Sequence, residues 1–169
     1  VPPDAWSLGW SLGGLLALRL AASEAARVRG VVMLASTPCF VQTDGWTQAM
    51  DGEVFARFAK QLEADPETTL SLFLSLQIRD SEGSTRTLRA IRAALKERPQ
   101  PDAGAWRAGL RFLQTVDARA RLDDPEFPLY WLFGERDTLV PVTLRDDYPA
   151  IENAVIGGAG HAPFLSHPQ

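Results

Sequence analysis

The feature that most constrains this chain is Gly9-Trp10-Ser11-Leu12-Gly13, set between a short apolar strand candidate, Ala5-Trp6-Ser7-Leu8, and a run of helix formers over 12–22. A serine on a tight strand-to-helix turn has strained backbone angles. Glycines two positions to either side let neighbouring backbone pack close without a Cβ clash. The turn lifts the hydroxyl above the carboxyl ends of the strands. It also aims the backbone N–H of Leu12, at a helix N-terminus, toward any negative charge that develops on a substrate oxygen. A small-residue turn in a βα unit is the competing reading, and the strand–turn–helix context argues against it.

The rest of the chain is read around that turn. The helix over 12–22 is almost wholly apolar, which predicts burial on every side. Val28–Leu34 is valine-rich and reads as a central parallel strand covered on both faces. Four helices are then expected, over 52–62, 66–78, 85–98 and 102–115. Pro66 suits a first helical turn, and Pro99 and Pro101 stop the third helix. Sheet geometry resumes at 129–133, and a last short strand is expected at 153–156, before Gly157-Gly158-Ala159-Gly160-His161. The fold class is α/β: a core of residues 1–40 and 116–169 interrupted by a helical lid over 41–115. Only three strands of any length stand out, and no final helix follows. That small sheet leads to the expectation that the 169 residues are part of a longer chain.

A serine hydroxyl needs a base. There are two histidines. His161 lies in a glycine-rich loop after the last strand, free to point at Ser11, whereas His167 in Ser166-His167-Pro168 reads as a surface or capping residue at a helix start. The base needs a carboxylate on its far nitrogen. Asp137 stands just past the strand at 129–133, at the carboxyl edge of the sheet. Glu135 is a conceivable substitute, one strand-face step off. The order Ser11, Asp137, His161 is that of the α/β-hydrolase triad and of neither the chymotrypsin nor the subtilisin triad.

Around these positions several readings stay open. Trp10 and Leu139 flank the nucleophile and the acid, and suit either substrate contact or scaffolding. Phe73, Leu74 and Leu76 suit either an acyl pocket or lid-to-core packing. Arg86, Arg89, Arg92 and Lys96 share one helix side at about 100° per residue, opposite Leu88, Ile91 and Leu95. A solvated face is the default for such a stripe, and docking of an acidic partner is the functional alternative. Cys39 reads as a small buried residue, with no histidine left to activate it. As the single cysteine it leaves no internal disulfide and no multi-cysteine metal site, and it suits a reducing, cytoplasmic setting. The net charge of −4 argues against general nucleic-acid binding, and no apolar run is long enough to span a bilayer.

Larger blocks carry a resemblance. Leu8-Gly9-Trp10-Ser11-Leu12-Gly13-Gly14-Leu15 and Ala35-Ser36-Thr37-Pro38-Cys39-Phe40 closely resemble the pimeloyl-acyl-carrier-protein methyl ester carboxylesterases of biotin synthesis. So do Phe73-Leu74-Ser75-Leu76-Gln77, Leu113-Gln114-Thr115-Val116-Asp117 and His161-Ala162-Pro163-Phe164-Leu165-Ser166-His167-Pro168. The resemblance implies an α/β-hydrolase fold and a cytoplasmic serine esterase that needs no cofactor or metal. It implies Ser11, Asp137 and His161 as the triad, Trp10, Phe73 and Leu139 as walls of the acyl channel, and a carrier protein as partner. Arg89 matches one of the family's carrier-docking arginines and Arg86 falls beside another, while two earlier ones are replaced by Thr68 and Leu72. The family's first half, which supplies a second oxyanion donor and another pocket tryptophan, has no counterpart in these residues. A monomer is expected. The rival readings are a general short-acyl carboxylesterase, a lactone or carbon–carbon bond hydrolase, and a non-catalytic fragment or binding protein.

Overall fold

The computed structural model describes residues 3–23, 27–78, 84–97 and 102–168. Its core is one parallel sheet of four strands in the order β1 (Ala5–Trp10), β2 (Val28–Leu34), β3 (Leu129–Gly134), β4 (Glu152–Ile156). The short last strand is therefore a full member of the sheet, correcting the count of three. β1 runs on to Trp10, so the strand delivers its chain directly into Ser11. Helix α1 (Leu12–Ser23) follows at once and packs on β1 and β2.

The register places Val31 and Met33 of β2 on the same sheet face as Trp131 and Phe133 of β3. Leu15 and Leu18 of α1 close over this face in a single apolar cluster, with Trp131 and Phe133 fully buried. Each such side chain contributes roughly 1.5–3 kcal/mol by leaving water. The opposite face is different. Leu8 is 65% exposed, Trp6 rests on Gly30 and the Tyr130 ring, and Val32 is half-buried. The expectation that β2 is covered on both faces is corrected accordingly. So is that of a wholly buried first helix, because Leu16 is 47% exposed on the side of α1 turned from the sheet.

Between β2 and β3 come α2 (Gly52–Ala64), α3 (Pro66–Ile78), α4 (Ser84–Lys96) and α5 (Ala103–Thr115). Asp51 caps α2 by accepting from the N–H groups of Glu53 and Val54, and Asp102 caps α5 through Ala105. Arg98, Pro99 and Pro101, expected to end α4, lie outside the described residues, as do the side chains of Gln77, Leu95 and Lys96. The two ends of this insertion are stitched together. Ala118 N–H donates to the Pro38 carbonyl at 2.9 Å. Arg119 forks onto Asp117, reaches the Asp44 carbonyl at 3.0 Å, and lies over the Trp46 ring. That guanidinium holds the Asp117 carboxyl below the usual carboxylate range.

The described residues also form α6 (Ala120–Asp123), a 3₁₀ turn at Val142–Asp147, and α7 (Pro163–Ser166). His167 closes α7 instead of opening a helix, its N–H donating to the Pro163 carbonyl. No helix among the described residues is long and apolar enough to cross a membrane.

Candidate active site

Three sheet-edge loops meet at the carboxyl ends of the strands. The first is the turn after β1. Ser11 sits at φ +52°, in the left-handed region that costs a non-glycine residue about 1–2 kcal/mol. Its backbone N–H donates to the Leu34 carbonyl at 3.0 Å, and its own carbonyl accepts from Gly14 N–H and from the Ser36 hydroxyl. Of the two flanking glycines only Gly9 avoids a clash: a Cβ there would lie 2.0 Å from the Gly13 carbonyl oxygen, whereas a Cβ on Gly13 would meet nothing within 4 Å. Leu12 begins α1, so its N–H belongs to the first turn, whose amides have no acceptor within the helix.

The second loop follows β3. Asp137 is 5% exposed. Its Oδ1 accepts from the N–H groups of Leu139 and Val140 at 2.9 and 3.0 Å, leaving Oδ2 for a side-chain donor. The third loop follows β4 and carries His161, 1% exposed. Arg136 N–H donates to the Ala159 carbonyl, tying this loop to the second one. A Cβ on Gly134 would strike the Gly160 carbonyl oxygen at 2.3 Å, so the approach of the two loops depends on that glycine.

The three side chains form one line. His161 Nδ1 lies 2.8 Å from Asp137 Oδ2, and His161 Nε2 lies 2.9 Å from Ser11 Oγ. A carboxylate can only accept, so the imidazole proton sits on Nδ1 and donates to Asp137. Nε2 is then left as the acceptor for the Ser11 hydroxyl. That is the arrangement in which the imidazole can take the serine proton.

Beside Ser11 lies a cavity of about 340 Å³, the low end for small-molecule pockets. Leu12 and Leu139 from the core meet Phe73 of α3 and Phe58, Trp106 and Gly109 of the other inserted helices around it, and among the described residues its lining carries no charged side chain. Phe73 and Leu139, the implied channel walls, are both lining residues of this cavity. Leu74 instead packs with Ile91 and Ala162, and Leu76 is exposed. Trp10 is not among the lining residues. Its indole N–H donates to the His161 backbone carbonyl at 2.6 Å, and its ring lies against His161 and Phe164.

Glu135 does not face His161; it accepts from Gly158 N–H at 2.7 Å and so fixes the turn before the histidine loop. His167 contacts the neighbouring Ser166 hydroxyl, away from the triad. Arg86 and Arg89 are exposed on α4, whereas Arg92 is drawn onto the hydroxyls of Ser71 and Ser75. Sequence reasoning missed Ser36, which steadies the Ser11 carbonyl at 2.6 Å and is itself held by Trp131 Nε1 on its carbonyl. Its presence in the block after β2 was visible, but nothing in a serine's identity names the carbonyl it will reach.

Cys39 is buried, its thiol directed at the Val41 carbonyl. Burial first, and the Asp117 charge second, push the thiol pKa up. The native chain is therefore expected to resist iodoacetamide at neutral pH and to react fully once unfolded in urea. Rapid modification of the folded protein would contradict this inert role.

The sequence profile of the alpha/beta hydrolase fold family matches residues 2–168. A pimeloyl-[acyl-carrier protein] methyl ester esterase from Xylella fastidiosa (strain M12) is 41% identical over 98% of this chain and 67% of its own length. One from Klebsiella pneumoniae subsp. pneumoniae is 42% identical over 99% of this chain and 66% of its own length. The chain thus spans about two thirds of the length of these curated relatives. Among solved structures, an esterase from Exiguobacterium antarcticum superposes with a TM-score of 0.79 at 18% identity, covering 95% of this chain and 61% of the esterase. A hydrolase from Oleispira antarctica superposes with a TM-score of 0.80 at 13% identity, covering 99% of this chain and 62% of the hydrolase. At these identities the superpositions establish the fold.

Proposed function

This chain belongs to the α/β-hydrolase family and is kin to the pimeloyl-[acyl-carrier protein] methyl ester esterases, and on that footing we propose that it forms the catalytic part of a serine carboxylesterase that removes the methyl ester from a pimeloyl group carried on an acyl carrier protein. The observation that supports this most directly is the hydrogen-bonded line from Asp137 through His161 to Ser11 at the mouth of an apolar cavity.

In the proposed reaction Ser11 Oγ attacks the ester carbonyl carbon while His161 Nε2 takes its proton. The carbonyl oxygen gains negative charge facing Leu12 N–H. The imidazolium is stabilised by Asp137 Oδ2. Collapse of the tetrahedral species expels methoxide, which leaves as methanol with the proton from His161. Water then attacks the acyl-enzyme, again giving a proton to His161, and the free carboxylate departs with Ser11 restored. The steps draw on Ser11, His161, Asp137 and the Leu12 N–H, with the second oxyanion donor assigned by the resemblance to a part of the family that has no counterpart in these residues.

The helices over 41–115 act as a lid in this reading, with Phe73 and Leu139 as walls for the acyl chain. Trp10 reaches the substrate region mainly through His161. Arg86 and Arg89, exposed and cationic on α4, are the proposed contacts for the acidic carrier. The protein works in the cytoplasm, as a monomer.

The test is methanol release from a methyl pimeloyl-carrier conjugate. Methanol and free carboxylate should appear in equal amounts, and a well-folded sample that produces neither rules the reading out. The double variant Arg86→Glu, Arg89→Glu is expected to raise KM for the conjugate about tenfold or more. It should leave turnover of a free short-chain methyl ester unchanged, because neither arginine lines the cavity. An unchanged KM for the conjugate removes α4 from the docking surface.

A further inference from the structure

A glycine in the middle of a helix is destabilising, because it orders more backbone than any other residue and packs nothing. Gly109 occupies that position in α5. Two backbone causes commonly hold glycine in place, a left-handed φ and a close approach of another chain. Neither operates here. Gly109 has no positive φ, and a Cβ built on it would meet nothing nearer than Leu12 Cδ2 at 3.7 Å, an ordinary contact. Alanine would fit the backbone and favour the helix.

What distinguishes Gly109 is what it borders. It lines the cavity together with Ser11 and Leu12, and the direction of its missing Cβ is toward the Leu12 side chain. We propose that Gly109 is a specificity-determining position: its bare Cα leaves the space through which an uncharged, medium-length acyl chain passes from Ser11 into the cavity. The proposal rests on the esterase reading above and narrows its substrate class.

The physical consequence is a change in chain-length preference. The cavity lining is apolar, so each acyl methylene placed there contributes about fourfold to kcat/KM. A side chain at position 109 takes that space near the nucleophile, where an acetyl group still fits and a longer chain does not. Replacing an unneeded glycine would give the same gain in stability with no change in preference.

The experiment compares p-nitrophenyl acetate with p-nitrophenyl octanoate in the full chain and in Gly109→Ala and Gly109→Leu. Gly109→Ala is expected to raise the thermal midpoint by about 2–4 °C and to lower the octanoate-to-acetate ratio of kcat/KM about fourfold. Gly109→Leu is expected to lower that ratio by about 50-fold, through the loss of several methylenes of contact. Should Gly109→Leu fail to fold, the alanine variant decides alone. A parent that hydrolyses both esters, with an unchanged ratio in the folded variants, overturns the role of Gly109 and leaves the esterase reading standing. A parent that hydrolyses neither overturns that reading and this proposal with it.

Discussion

Ser11→Ala is expected to lower ester turnover by about 10⁴–10⁶-fold while leaving the fold intact. The size of the loss follows from the line of hydrogen bonds: without Oγ there is no atom for His161 to deprotonate and none to bond the acyl carbon. The intact fold follows from the backbone. Ser11 is already at φ +52°, and alanine has the same Cβ, so the turn is no more strained than before. The bonds that hold the turn, from Ser11 N–H to Leu34 and from Ser36 and Gly14 to the Ser11 carbonyl, are made by main-chain atoms of residue 11. A fluorophosphonate probe should label the parent at Ser11 and leave the variant unlabelled, with matching thermal unfolding. Turnover or labelling retained in the variant would place the nucleophile elsewhere.

Those same bonds show what a sequence can and cannot say about such a site. Ser11, Asp137 and His161 were legible because Ser11 stands in a glycine-flanked strand–turn–helix pattern, only two histidines compete for the base, and the order of the three along the chain matches one known arrangement. The four long inserted helices were legible within a few residues, because thirteen residues leave room for apolar periodicity in α2, α4 and α5 and for a run of helix formers opened by Pro66 in α3. The short elements were not. α6 and α7 are each a single turn of four residues, too brief for any periodicity. The exposed outer face of β1 was missed for a different reason. Leu8 and Trp6 are apolar, and apolarity states what a residue prefers, while its exposure depends on what else packs against the sheet.

The supporting contacts were the least legible. Trp10 sits beside the nucleophile, where its type suited either substrate contact or scaffolding and the resemblance implied a channel wall. Its indole N–H is spent on the His161 carbonyl, joining the nucleophile's strand to the base's loop. Glu135 has the charge to orient a histidine but reaches the Gly158 amide instead. Both bonds end on backbone atoms, which every residue carries, so no pattern of side chains encodes them.

Asp137→Asn tests whether the same backbone logic governs the chemistry, and the geometry fixes how the asparagine must sit. The oxygen that accepts from Leu139 and Val140 N–H groups has to remain an acceptor, because an amide NH₂ there would face two donors. The asparagine oxygen therefore takes the Oδ1 place and its nitrogen takes the Oδ2 place, 2.8 Å from His161 Nδ1. A donor at that point can bond only an unprotonated Nδ1. The imidazole proton moves to Nε2, which then presents a donor to Ser11 Oγ where a base is required. The developing imidazolium also loses its neighbouring negative charge. Together these are expected to lower kcat by about 10⁴-fold with KM little changed, since neither change touches the cavity. Thermal stability should hold, because both backbone bonds to Oδ1 survive. Asp137→Ala, which takes this acceptor from the half-buried Leu139 and the buried Val140 amides, should lower stability by about 1–3 kcal/mol as well as activity. An asparagine variant within tenfold of the parent would mean that Asp137 serves the loop alone and that His161 keeps its tautomer without it.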